Sequence, residues 1–116
     1  MTVFAVDFDG TIVHNTYPNI GILRYDALKT LKAMRAHGHV IIIWTCRCGP
    51  RLLEMEHFLE DHDVPYDVIN DHAPHLAAIF GGEARKIFAD YYIDDHNVSS
   101  WTWQDVMKIV EQTPCP

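Results

Sequence analysis

Two hydrophobic patterns alternate along the chain. Residues 3–6 (VFAV), 40–44 (VIIIW) and 91–93 (YYI) are unbroken apolar runs, short and rich in β-branched and aromatic side chains. Such runs suit strands buried on both faces, as in a parallel sheet. A less apolar run at 66–69 predicts a further short strand. Between these runs apolar residues return at helical spacing. Leu28, Leu31 and Met34, with Leu23 and Ala27 behind them, predict a helix over 23–37 that stops at Gly38. Leu52, Met55, Phe58 and Leu59 predict a second helix, opened by Gly49-Pro50 and ended by Val64-Pro65. Trp103, Val106, Met107 and Val110 mark the buried face of a last one. Thr102 and Asp105 form a capping-box pattern at its start, Trp101 and Val106 occupy staple positions, and Pro114 closes it.

Three segments are patterned more weakly. Residues 10–21 make a polar-aromatic connection containing Asn15, Tyr17, Pro18 and Asn19; it reads as a flap over the end of the first strand, far too short for a lid domain. Residues 71–85 hint at one or two helical turns, through Leu76, Ala77, Ile79 and Phe80, before Gly81-Gly82. Residues 87–89 suggest a brief extended piece. Without repeats, linkers or low-complexity stretches, one domain over 1–116 is the expectation.

Strands alternating with helices imply βαβ units and a parallel sheet with right-handed crossovers. In such sheets a site lies beyond the carboxyl ends of the strands, where strand order reverses. The first strand climbs to Asp7, and Asp9 two residues later faces the same way while Phe8 turns aside. The second ends on Thr45 and the last on Asp94-Asp95. Carboxylates gathered in one crevice repel unless a cation sits among them or one keeps its proton, which is what a metal-assisted acid–base site needs.

The hydrophobic fraction of 48% and charged fraction of 22% suit a folded chain. A net charge of -7 disfavours nucleic acid as partner without barring a small anionic substrate, because a metal ion and local cations reverse the field inside a cleft. Acids from Asp7 onward and the lack of a long apolar segment argue against a signal peptide or membrane partner. Cys46, Cys48 and Cys115 are odd in number and lack a disulfide spacing, so reduced thiols in a cytoplasm are expected. His72-x-x-His75, with His57 and His62, is a weak zinc pattern beside the ordinary reading of surface or structural histidines. Trp44, Trp101 and Trp103 read as core or cleft wall, since no basic stripe accompanies them.

The run DFDGT at 7–11 resembles the first motif of the haloacid dehalogenase-like phosphohydrolases. Thr45, Lys86 and Asp94-Asp95 follow in the order and spacing of that superfamily's second, third and fourth motifs, and the likeness extends from residue 2 to about 99. The nearest type is the small capless one of bacteria and phages. The resemblance implies an α/β fold: a three-layer Rossmann-like parallel sheet, strand order about 3-2-1-4, flanked by helices and without a cap domain.

It also implies roles. Asp7 becomes the nucleophile that takes the phosphoryl group, and Asp9 the acid–base residue, whose main-chain carbonyl also ligates a metal. Thr45 and Lys86 hold and neutralise the phosphoryl group, while Phe8 and Gly10 bring backbone amides to it. Mg²⁺ is the implied cofactor, with Asp7, Asp9, Asp94 and Asp95 as its ligand set and the choice between Asp94 and Asp95 open. Relatives that cleave carbon–halogen bonds lack an acid at the place of Asp9, so phosphate esters are the implied substrates. Arg47, two residues past Thr45, reads either as a contact to the substrate anion or as a surface cation. The expected function is a Mg-dependent phosphomonoesterase for a small ester, a nucleotide or sugar phosphate. Alternatives are a non-catalytic phosphate- or metal-binding module, an enzyme for phosphorylated macromolecular ends, and a signalling phospho-acceptor. An oligomer is one way to roof the open site.

Overall fold

The computed structural model describes residues 1–80, 82 and 84–112. In chain order the elements are β1 (Val3–Asp7), β2 (Val13–Thr16), β3 (Asn19–Leu23), α1 (Tyr25–Ala36), β4 (Val40–Trp44), α2 (Gly49–Asp61) and β5 (Val68–Ile69). A 3₁₀ turn (Pro74–Leu76) then runs into the one-turn α3 (Ala77–Phe80), followed by β6 (Tyr91–Ile93) and α4 (Trp103–Gln112). Four strands form a sheet in the order β5-β4-β1-β6, every pair parallel. This is the expected order, with the last strand on the far side of the first.

The unbroken apolar runs are explained by burial on both faces. Phe4, Val6, Ile41, Ile43 and Ile93 meet Leu31 and Met34 of α1, Met55 and Leu59 of α2, and Trp103 and Val110 of α4. Val3, Ala5, Val40 and Ile42 point the other way, onto Ala73, Ile87 and Ala89. Right-handed crossovers account for the division. The steps from β1 to β4 and from β4 to β5 run in one direction across the sheet and leave α1 and α2 on one face. The return from β5 to β6 reverses direction and lays Ala73, Leu76, Ile87 and Ala89 on the opposite face. The chain is therefore α/β with a parallel sheet flanked by helices, and no cap domain is present among the described residues.

Local structure departs from the sequence pattern in three places. The flap is a β-hairpin, β2 paired antiparallel to β3, and Leu23 ends β3, so α1 begins two residues later than its apolar spacing predicts. Residues 87–89 form no strand; Ile87 and Ala89 plug the second face of the sheet, and ladder-like pairing begins only at Asp90. There the Asp90 amide donates to the Val3 carbonyl at 2.8 Å, and the Val3 amide donates to Asp90 Oδ2 at 2.7 Å. The third strand is also shorter than expected, at Val68–Ile69. Gly81, Pro114 and Cys115 lie outside the described residues.

The capping box at α4 is formed. The Thr102 amide donates to Asp105 Oδ2 at 2.8 Å, and the Asp105 amide donates to Thr102 Oγ1 at 3.2 Å. The helix seats Trp103, fully buried, whose indole N–H donates to the Thr11 carbonyl at 3.1 Å. Trp103→Phe keeps a ring in the core but strands that carbonyl. We expect a loss of about 1–3 kcal/mol, read from the denaturant midpoint with the m-value unchanged.

Candidate active site

Because β1 and β6 are neighbours in register Val6↔Ile93, their next residues, Asp7 and Asp94, come out level at the carboxyl end of the sheet. Asp95 follows. One oxygen from each of Asp7, Asp94 and Asp95 lies within 4.8 Å of the others. Thr11 Oγ1 donates to Asp7 Oδ2 at 2.9 Å and accepts the Asp95 amide at 3.1 Å, so one buried hydroxyl ties the two acidic strand ends together. Gly10 serves the cluster by what it lacks. At φ +85°, a Cβ there would stand 2.2 Å from Asp95 Oδ2.

Burial pushes the Asp7 carboxyl up to about 7; Thr11 pulls it down, and Asp95 and Asp94 push it further up. Among the described residues, no lysine or arginine pairs with any of the three carboxylates. Crowded oxygen donors without a counter-cation fit a hard divalent ion such as Mg²⁺.

Asp9 takes a different partner. Arg47 Nε donates to Asp9 Oδ2 and Nη2 to Oδ1, both at 2.8 Å, and this pair holds the guanidinium firmly protonated. Arg47 is thus no surface cation: its side chain has 0% exposure, and Nε, Nη1 and Nη2 all donate to the protein. Within the cluster only the main chain of Asp9 is left to contribute as a ligand.

Thr45 reaches the cleft as expected. Its backbone is clasped by Asn70, whose Oδ1 accepts the Thr45 amide and whose Nδ2 donates to the Thr45 carbonyl, each at 2.8 Å. Asp7, Thr45, Cys46 and Asp94 form the floor of a two-lobed opening. One lobe, of about 550 Å³, is walled by Asp9, Arg47, Asn15, Tyr17, Asp95 and His96, the other by Trp44, Asn70, Ala84 and Arg85.

Lys86 is not brought to this opening. Its ammonium lies 5.7 Å from the centre of the Tyr92 ring, beside Phe80, Ile87 and Phe88, a placement that cation–π attraction favours. The neighbouring Arg85 lines the cleft instead. Gly10 also differs from expectation: its amide donates to the Val13 carbonyl at 2.9 Å and is not free for a substrate oxygen. The Phe8 side chain is buried and packs edge-on to Phe58. Among the described residues no group of histidines or cysteines gathers at metal-binding distance; Cys46 and Cys48 are free and exposed.

Sequence reasoning passed over Thr11, Asn70 and Arg85. Thr11 carried a signal, a hydroxyl inside the first motif; Asn70 follows β5 with φ 52°, a backbone state in which asparagine is enriched. Nothing local distinguishes Arg85 from Lys86.

Fold and site together define a class: a parallel α/β protein whose acidic cluster, at the carboxyl ends of the adjacent strands β1 and β6, could hold a metal ion. The chain belongs to the family of a conserved protein from Bacteroides thetaiotaomicron, with which it shares 33% identity over 96% of this chain and 90% of that one, at a TM-score of 0.83. A crystal structure from Vibrio cholerae shares the fold at 24% identity, covering 97% of this chain and 98% of that one, with a TM-score of 0.50. No protein-family model matches the chain, and no curated protein matches it. No helix among the described residues is long and apolar enough to cross a membrane.

Two outcomes test the cation site. With Asp7 raised from 3.8 to about 7, the folded state binds more protons than the unfolded one across that window, so stability without metal falls as pH rises through it. Cation binding displaces that proton and relieves the repulsion, so the thermal shift given by Mg²⁺ will be larger near about pH 8 than near about pH 5.5. Gly10→Ala, which displaces Asp95, will weaken Mg²⁺ binding roughly 10-fold or more by calorimetry.

Proposed function

We propose that the protein is a Mg²⁺-dependent phosphomonoester hydrolase of the haloacid dehalogenase-like type. The observation that carries this reading is the meeting of Asp7 with Asp94 and Asp95 at adjacent strand ends, in a cleft that also holds Asp9 and Thr45. The ordered motif resemblance supports it independently. Asp7, Asp94 and Asp95 would hold the ion with the main-chain carbonyl of Asp9; bound there, it offsets the negative charge of the phosphate ester.

Asp7 uses the carboxylate oxygen not bonded to Thr11 to attack phosphorus. As that bond forms, the bond from phosphorus to the ester oxygen breaks, and Asp9 delivers a proton to the departing oxygen. Water then attacks the phosphorus of the aspartyl phosphate and gives its proton to Asp9, releasing phosphate and restoring Asp7. Thr45 and Arg85 line the same opening; Thr45 hydrogen-bonds a phosphoryl oxygen, and Arg85 takes the charge-balancing part expected of Lys86.

A lobe of about 550 Å³ without a cap accommodates a nucleotide or sugar phosphate, and the net charge of -7 favours such small esters over polyanionic ends. The exposed free thiols of Cys46, at the cleft, and Cys48 suit a reducing, cytoplasmic compartment.

Purified protein given p-nitrophenyl phosphate and Mg²⁺ will turn over, and EDTA will stop it reversibly. Asp7→Asn will abolish turnover, while Asp9→Asn will cost about 10²–10⁴-fold on an alkyl phosphate. Full activity in both variants would sink the assignment.

A further inference from the structure

The Arg47 guanidinium is the most thoroughly engaged polar group near the cleft. Nε and Nη2 grip the two oxygens of Asp9. Its other bonds go to the tip of the β2–β3 hairpin: Nη1 donates to the Pro18 carbonyl at 3.2 Å and Nη2 to the Asn19 carbonyl at 3.1 Å. The Phe8 ring lies 5.5 Å from the guanidinium carbon and the Tyr17 ring 5.1 Å from it. The Arg47 amide donates to Thr45 Oγ1 at 3.1 Å, so the loop after β4 joins the same junction.

Removing a guanidinium from water is costly unless it is paired and hydrogen-bonded, and here the partners divide into two sets, the Asp9 carboxylate and the hairpin tip. Neither set alone satisfies the group. Undocking the hairpin exposes Arg47 to water and loosens its grip on Asp9; freeing Asp9 leaves a buried cation facing only two carbonyls and ring faces.

We infer that Arg47 is a positioning residue that aims Asp9 at the leaving group only while the hairpin is docked, so that flap closure and proton delivery are one event. The inference rests on the phosphatase reading for its chemistry. In the transfer step one oxygen of Asp9 stays on the guanidinium, and the other leaves that contact, takes up a proton from water and hands it to the departing ester oxygen. Lysine preserves the charge but cannot grip both oxygens while also holding two carbonyls.

The test pairs two substrates with a measurement that needs no turnover. An alkyl phosphate leaves poorly without a proton, whereas p-nitrophenolate leaves well without one. Arg47→Lys is expected to lower kcat/KM, which reads the transfer step and not the shared hydrolysis of the aspartyl phosphate, roughly 10- to 100-fold for the alkyl ester and by less than about threefold for p-nitrophenyl phosphate. In an Asp9→Asn background the Arg47→Lys loss on the alkyl ester will disappear. Equal losses on both substrates, or a gain on the alkyl ester, would overturn the inference and leave the phosphatase reading standing. Amide hydrogen exchange supplies the second arm: hairpin residues 13–23 will exchange faster in Arg47→Lys and in Asp9→Asn while β1 and β4 stay protected. Unchanged hairpin exchange refutes the coupling whether or not any ester is hydrolysed. Absence of turnover in the wild type, with faster hairpin exchange in both variants, would refute the phosphatase reading and with it the catalytic half of the inference, leaving the mechanical link.

Discussion

Three carboxyl groups are held so close that their charges would repel one another, and the backbone does the holding. Parallel pairing of β1 with the edge strand β6 fixes Asp7 level with Asp94, and the strands cannot part without breaking that ladder. The surrounding loops add to the constraint. Thr11 bonds to both acidic strand ends, Gly10 leaves room for Asp95, and Trp103 anchors the Thr11 carbonyl to α4. Trp101 does the same for the Asp94 carbonyl, to which its indole donates at 2.8 Å. A site preorganised in this way stores electrostatic tension that a cation relieves.

Across the cleft the opposite condition holds. A buried cation at Arg47 is satisfied by an anion and by carbonyl dipoles drawn from separate stretches of chain. The two halves of the opening differ accordingly. The strand-end half is rigid because the sheet enforces it, whereas the flap half rests on an antiparallel two-stranded hairpin, an arrangement that is marginal on its own and depends on docking. Ligand-binding loops are commonly drawn from such weakly held elements.

The architecture was largely legible in the sequence, because burial on two faces writes itself as unbroken apolar runs and burial on one face as helical spacing. The four parallel strands, the α1, α2 and α4 helices and the capping box all follow from those signals. The hairpin did not announce itself. β2 reads VHNT, with one buried residue in four, and its order comes from pairing with β3 and from the Arg47 bonds at its tip. Residues 87–89 misled for the opposite reason: they are apolar enough for a strand, but Ile87 and Ala89 are buried by plugging a sheet face.

By itself the sequence determined which elements form and which acids end them, since periodicity and strand-end position are properties of nearby residues. Strand-end position alone put Asp7, Thr45, Asp94 and Asp95 at one edge of the sheet. Only the tertiary structure decided who pairs with whom. It gave Asp9 to a buried Arg47, turned Lys86 onto Tyr92 while Arg85 entered the cleft, and spent the Gly10 amide on Val13. The physical reason is range: hydrophobic periodicity is set within a turn or a strand, whereas an ion pair depends on the full three-dimensional surroundings of both partners, here residues 38 positions apart.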